Sequence, residues 1–185
     1  MLKKNQKIIK SVLRPQKEQL CKVAFDTETG FYYALDGFRI VRIEQAEFIG
    51  AEIPVFDIDT PKEKLPNYKR YIERANEVGY TELKIPYTPD QIDKWYSNNK
   101  KKKDRVPFAL GMEIKGSYRK RWFGINPKFL TDAMRTTGSQ IISVPDMGEQ
   151  LVMQGNGYLW IICPVECKDD YPTNHHMTEI NIDNL

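Results

Sequence analysis

Histidine, cysteine and long apolar runs are what this sequence has least of, and each shortage removes a class of function. The 2 histidines, His175 and His176, sit side by side near the end of the chain. General acid–base chemistry carried by imidazole therefore has no candidate elsewhere. The 3 cysteines, Cys21, Cys163 and Cys167, are odd in number and irregular in spacing. That excludes a disulfide framework and fits a reducing compartment. Cys163, Cys167, His175 and His176 do not match the ligand spacing of a zinc finger, because adjacent histidines seldom bind one ion. No run of about 18 apolar residues occurs, so no helix spans a membrane. The opening "MLKKNQKIIKSVL" is lysine-rich and lacks the uninterrupted apolar stretch of a secretory signal. The sequence thus predicts a cytoplasmic protein without a membrane partner. It holds no nucleophile elbow, no phosphate-binding glycine loop and no dinucleotide fingerprint, and it implies no cofactor.

What is present is charge, unevenly placed. Residues 1–17 hold six basic side chains and no acidic one, and residues 94–121 hold ten basic against Asp104 and Glu113. Residues 136–185 reverse the balance, with seven acidic side chains against Lys168. A net charge of +3 hides this polarity, which predicts a basic face turned toward an anionic partner. A length of 185 residues suits a single domain.

Helical spacing of Ile8, Ile9, Val12 and Leu13 predicts a helix over 4–13. Lys3, Lys7, Lys10 and Arg14 recur at steps of four, three and four, which lines them along the opposite face. Pro15 ends the helix, and "LCKVAFDTETGFYYALDGFRIVRI" then reads as three short strands. Residues 27–30 make the first turn. Asp36-Gly37, between apolar runs, predicts a type I′ hairpin with positive φ at both residues.

Residues 47–121 change character, with prolines at 54, 61, 66, 86, 89 and 107. The segment reads as an insertion that carries helices near "NYKRYIERANEVG" and "PDQIDKWYSNN" and a basic loop containing Lys101 and Lys102. Beyond it, Asn126 is an N-cap, Pro127 opens a helix with apolar Phe129, Leu130, Ala133 and Met134, and Gly138 stops it. Strands follow at about 140–144, 149–153 and 158–164, joined by "PDMG" and "QGNG", and a polar, loosely attached tail begins near Lys168. Both ends of the chain thus repeat one plan, a helix followed by three antiparallel strands. The fold class is α+β: one domain whose first half spans about 1–46, its insertion 47–121, its second half 122–167 and its tail 168–185.

These units resemble a domain of the bacterial DNA sliding clamp, the beta subunit of the replicative polymerase. The family's Thr-Asp-Gly-X-Arg-Leu strand compares with Leu35-Asp36-Gly37-Phe38-Arg39-Ile40. Its Leu-Leu-Asp-Ala-Leu helix compares with the run from Phe129 to Met134, and its closing Met-Pro-Val or Met-Pro-Met strand with Cys163-Pro164-Val165. The matches cover about residues 4–46 and 122–166. The resemblance implies a non-enzymatic, ring-forming DNA-clamp-like protein, acting in replication or in maintenance of a phage or other mobile element. Helices would face duplex DNA and grip phosphates without reading bases. Lys3, Lys7, Lys10 and Arg14 would be DNA-facing on the first helix and Lys128 and Arg135 on the second, a stripe interrupted by Asp132, and Lys101 and Lys102 of the basic loop would add to the DNA-binding set.

The resemblance also implies a pocket for short peptides of polymerase and clamp-loader-like proteins. Gly37, Phe38, Arg39 and Ile40 would form one wall, and Ile161, Cys163, Pro164 and Val165 the other. Family protomers have three domains, so one such domain would need to assemble as a homo-oligomer, with the two walls coming from neighbouring chains. Two alternatives accompany this reading. A diverged clamp-fold adaptor would bind only protein partners. A metal-dependent nuclease would use Asp90, Glu113 and Lys115, the acids holding a divalent ion and the lysine stabilising the attacking water; Asp57 and Asp59 form another weak acidic pair.

Overall fold

In a computed structural model of the chain, the described residues are 2–13, 22–44, 53–58, 70, 72–73, 80–99, 108–113, 120–145, 150–166 and 178–179. The first helix, α1, spans Leu2–Val12. Three strands follow it: β1 (Val23–Asp26), β2 (Phe31–Leu35) and β3 (Arg39–Ile43). The second half contributes α3 (Pro127–Thr137), β8 (Ile141–Pro145), β9 (Leu151–Gly155) and β10 (Tyr158–Ile162). The two halves meet where β3 pairs antiparallel with β10, placing Ile40 opposite Ile161 and Val41 opposite Trp160.

The insertion is woven into this sheet. Its β4 (Val55–Asp57) pairs in parallel with β1, and its β5 (Tyr80–Lys84) pairs antiparallel with β8. One eight-stranded sheet results, in the order β4-β1-β2-β3-β10-β9-β8-β5. Between β5 and a hairpin of β6 (Phe108–Glu113) and β7 (Lys120–Ile125) lies α2 (Pro89–Asn99). That hairpin belongs to a second sheet with β11 (Val165–Glu166) and β12 (Thr178–Glu179). The tail, expected to be loosely attached, therefore supplies Thr178 as the partner of Leu110.

Burial explains the layers. Strand alternation sends Val23, Ala34, Val41, Ile43, Trp160 and Ile162 to one face of the sheet, where Ile9 and Val12 of α1 and Leu130, Ala133 and Met134 of α3 meet them. The same cluster takes up Leu83, Ile85 and Ile92, so the insertion shares the core of the two halves. Ala24, Tyr33, Leu35, Ile40, Val152, Leu159 and Ile161 bury on the opposite face, with Phe31, Phe56, Ile58 and Ile72 packed against them. The sheet is thus apolar on both sides, as its near-continuous hydrophobic strands require.

Local signals account for the ends of the elements. Asn126 accepts from the Lys128 N–H, Pro127 fills the first turn of α3, and Gly138 closes it at φ 68°. Thr88 and Gln91 cap α2 reciprocally: the Thr88 N–H donates to Gln91 Oε1 at 2.8 Å, and the Gln91 N–H donates to Thr88 Oγ1 at 3.3 Å. The positive-φ Asn-Gly turn of the fold is Asn156 (φ 49°) with Gly157 (φ 76°), between β9 and β10. The β2–β3 turn differs from the expected Asp36-Gly37 type I′. Leu35 pairs with Ile40, so Gly37 and Phe38 are the two loop residues. Gly37 has φ 92° while Asp36 and Phe38 stay at negative φ, the pattern of a type II′ turn, which takes glycine first.

No helix among the described residues is long and apolar enough to cross a membrane.

Candidate nucleic-acid and partner interface

The Asp36–Arg39 turn is held from within. Asp36 Oδ1 accepts from the N–H groups of Phe38 at 2.9 Å and Arg39 at 3.0 Å, while its Oδ2 accepts from Arg39 Nε at 3.0 Å. The rest of the guanidinium reaches both helices: Nη1 donates to Asp132 Oδ2 of α3 at 2.8 Å, and Nη2 to the Ser11 carbonyl of α1 at 2.8 Å. Its central carbon, Cζ, lies 4.2 Å from the Phe129 ring centroid and 5.4 Å from that of Trp160. Arg39 is 3% exposed. Expected on a pocket wall, it ties the hairpin to α1 and α3. Its planar fork suits three acceptors in three directions. Asp132, the acid that interrupts the basic stripe of α3, is the acceptor that α3 offers to Arg39.

The helix faces differ from each other. On α1, the Lys4, Lys7 and Lys10 side chains are exposed while Ile8, Ile9 and Val12 are buried. The Lys4 ammonium stands 5.3 Å above the Tyr158 ring, whose hydroxyl donates to Asn5 Oδ1. Burial pushes the Tyr158 phenol above its ordinary pKa. Lys3 lies within α1, but its side chain, like Arg14, Lys101 and Lys102, lies outside the described residues. On α3, both expected DNA contacts already have anionic neighbours. Lys128 Nζ lies 3.6 Å from Asp132, and Arg135 Nη2 lies 2.7 Å from carboxylate oxygens of Asp90 and of Asp93. Asp90, then Asp93, raises the Arg135 pKa further by hydrogen bonding to its charged form. Lys4, Lys7 and Lys10 are thus exposed along α1, and Lys128 and Arg135 on α3 are paired with carboxylates.

Within one chain, the two expected pocket walls lie side by side. Ile40 faces Ile161 in the β3–β10 ladder, and the Cys163 N–H donates to the Phe38 carbonyl at 2.8 Å. Ile40 and Ile161 are buried in the outer-face core. Phe38 is 48% exposed, Gly37 is exposed, and Cys163 and Pro164 are half-buried. Proline cannot donate to a ladder, and at Pro164 the chain leaves the large sheet for β11, where Val165 pairs with Gly124. The side chain of Val165 lies outside the described residues.

Two members of the nuclease triplet, Asp90 and Glu113, sit on separate elements. Asp90 opens α2 and pairs with Arg135, while Glu113 ends β6 in the other sheet. The Glu113 side chain and Lys115 lie outside the described residues. Among the described residues no group of three or more His, Cys, Asp or Glu is placed to hold a metal ion. Asp57 is exposed on the edge strand β4; Asp59, Cys167, His175 and His176 lie outside the described residues.

Sequence reasoning missed Asp93, Ser11 and Phe129 as partners of the two arginines. A signal existed for Arg39: it shares strand parity with buried Val41 and Ile43.

No protein-family model matches the sequence, and no curated protein matches it. Solved structures do match in fold. A DNA polymerase III beta subunit from Borrelia burgdorferi, in complex with a natural product, aligns with a TM-score of 0.55 at 14% identity over 90% of this chain and 63% of that one. A sliding clamp from Bartonella birtlesii bound to griselimycin aligns with a TM-score of 0.57 at 10% identity, over 90% and 65%. The beta subunit of Pseudomonas aeruginosa gives 0.53 at 11%, over 90% and 65%. The chain therefore spans under two thirds of the length of these clamps. Two helices on one face of a continuous sheet, joined through the β3–β10 ladder and tied by Arg39, give this chain the fold of the bacterial DNA polymerase III beta-subunit sliding clamps.

Proposed function

We propose that this protein is a non-enzymatic, clamp-like DNA-binding protein that assembles from several copies around duplex DNA and engages short peptides of replication proteins. It acts in the cytoplasm, in DNA replication or mobile-element maintenance. The observation that carries the proposal is α1: a helix on the same sheet face as α3, with Lys4, Lys7 and Lys10 exposed along it. Such a row attracts phosphates without addressing bases, which suits a protein that holds DNA and slides. Lys3 and Arg14 extend the row in sequence. Peptide contact falls to Phe38, Cys163 and Pro164, with Ile40 and Ile161 as a buried floor and Arg39 fixing the turn.

The test is binding of a duplex oligonucleotide of arbitrary sequence across a salt series. Affinity should fall steeply with salt, and Lys7→Glu with Lys10→Glu should flatten the log–log slope by about two, at roughly 0.9 for each phosphate no longer neutralised. Unchanged binding in that variant would remove α1 from the interface. The pairing of Lys128 and Arg135 with carboxylates favours one competing reading, a clamp-fold adaptor that binds proteins alone. Absence of duplex binding at low salt, with peptide binding retained, would select it.

A further inference from the structure

The insertion helix α2 does more than fill space beside α3. Ile92 is fully buried in the main core, Trp95 packs against that core, and Thr131 Oγ1 of α3 lies 3.2 Å from Asp93 Oδ1. The helix is anchored. Asp90 and Asp93, at i and i+3, lie on one side of it. There they place two carboxylate oxygens, each 2.7 Å away, on the same nitrogen of Arg135. Those two anionic oxygens take up Nη2, one of the nitrogens through which a guanidinium would grip a nucleic-acid phosphate, so carboxylate and phosphate compete for the same donor. Arg135 with the two acids carries a local charge of −1, which repels DNA where the α3 stripe would otherwise attract it.

We infer that Asp90 and Asp93 act as an internal phosphate mimic, an autoinhibitory contact that keeps Arg135 from nucleic acid. This rests on the reading of the helix face as a DNA-binding surface. Exchange of carboxylate for phosphate does not require α2 to leave its place. Asp90 is 91% exposed at its side chain and Arg135 is itself partly exposed, so a side-chain rotation suffices.

The experiment compares the wild type, Asp90→Asn/Asp93→Asn and the same pair with Arg135→Ala, each titrated with a fluorescent duplex oligonucleotide at salt concentrations between about 50 and 200 mM. Asparagine keeps the size of the side chain and an acceptor for Thr131, and matched thermal melting of the three proteins verifies the fold. The double variant should bind tighter than wild type. Its advantage should shrink about threefold across that salt range, the effect of one added phosphate contact at a slope of roughly 0.9. Arg135→Ala should abolish the gain. A double variant identical to a wild type that binds DNA overturns the mimic and leaves the DNA-binding reading standing. A gain that survives Arg135→Ala overturns it as well, assigning the effect to net charge. Absence of binding by both proteins sinks the inference together with the reading beneath it.

Discussion

Replacing Arg39 by methionine removes the donors of three hydrogen bonds at once while keeping an unbranched side chain against Phe129 and Trp160. Asp36 is left buried with Oδ1 still accepting two backbone N–H groups and Oδ2 without its arginine donor. Among the described residues Asp132 keeps Lys128 at 3.6 Å as a cationic neighbour, and the Ser11 carbonyl loses its guanidinium donor. Removing one partner from a buried ion pair costs about 3–5 kcal/mol, and the remaining contacts to Asp36 and Asp132 set the expectation at about 3. For a domain of this length that lowers the melting temperature by roughly 6–12 °C. Urea unfolding should show a lower midpoint with an unchanged m-value. Adding Asp36→Asn to Arg39→Met should recover about 1 kcal/mol, because the stranded charge is gone. A loss under about 0.5 kcal/mol, or strict additivity of the two substitutions, would refute the view that this guanidinium ties the hairpin to the helices.

Two further perturbations probe the helix-to-sheet packing. A Cβ at Gly155 would collide with the Thr137 carbonyl oxygen at a φ of 153°, so Gly155→Ala should destabilise by about 2 kcal/mol or more in the same urea assay. The raised pKa of Tyr158 means the folded state keeps its phenolic proton to higher pH than the unfolded chain. Its contribution is therefore complete below the ordinary pKa of 10.0 and declines as pH rises through the higher folded value. Unfolding free energies measured from about pH 8 to 11 should fall above about pH 10, and Tyr158→Phe should show a shallower fall.

Much of the repeated plan was legible because it is local. The helical spacing of Ile8, Ile9 and Val12, the N-cap Asn126 followed by Pro127, and the Gly138 stop are short-range signals, and the elements lie within a few residues of where they point. The turn at Gly37 was legible as a turn but not as its type, since type depends on the Leu35–Ile40 register, a matter of pairing rather than of composition. The insertion was opaque for the same reason. Nothing in "VFD" or "YTELK" announces that they will border opposite edges of one sheet. The candidate residues were legible in the sequence, but the partners they bond to were not. The resemblance puts Arg39 on a pocket wall, and its acceptors, Asp132 and the Ser11 carbonyl, lie 93 and 28 residues away, beyond any local pattern. Arg135 looked available because Asp90 and Asp93 sit on a helix whose packing against α3 no local pattern reveals.

The central claim, a protein that encloses duplex DNA as an assembly, is tested most directly by solution molar mass. It should be measured with the protein alone, with closed circular duplex DNA, and with the same DNA linearised. The expected result is a multi-copy complex on the circle that withstands salt sufficient to strip the protein from the linear form. A single-chain mass under all three conditions would contradict it.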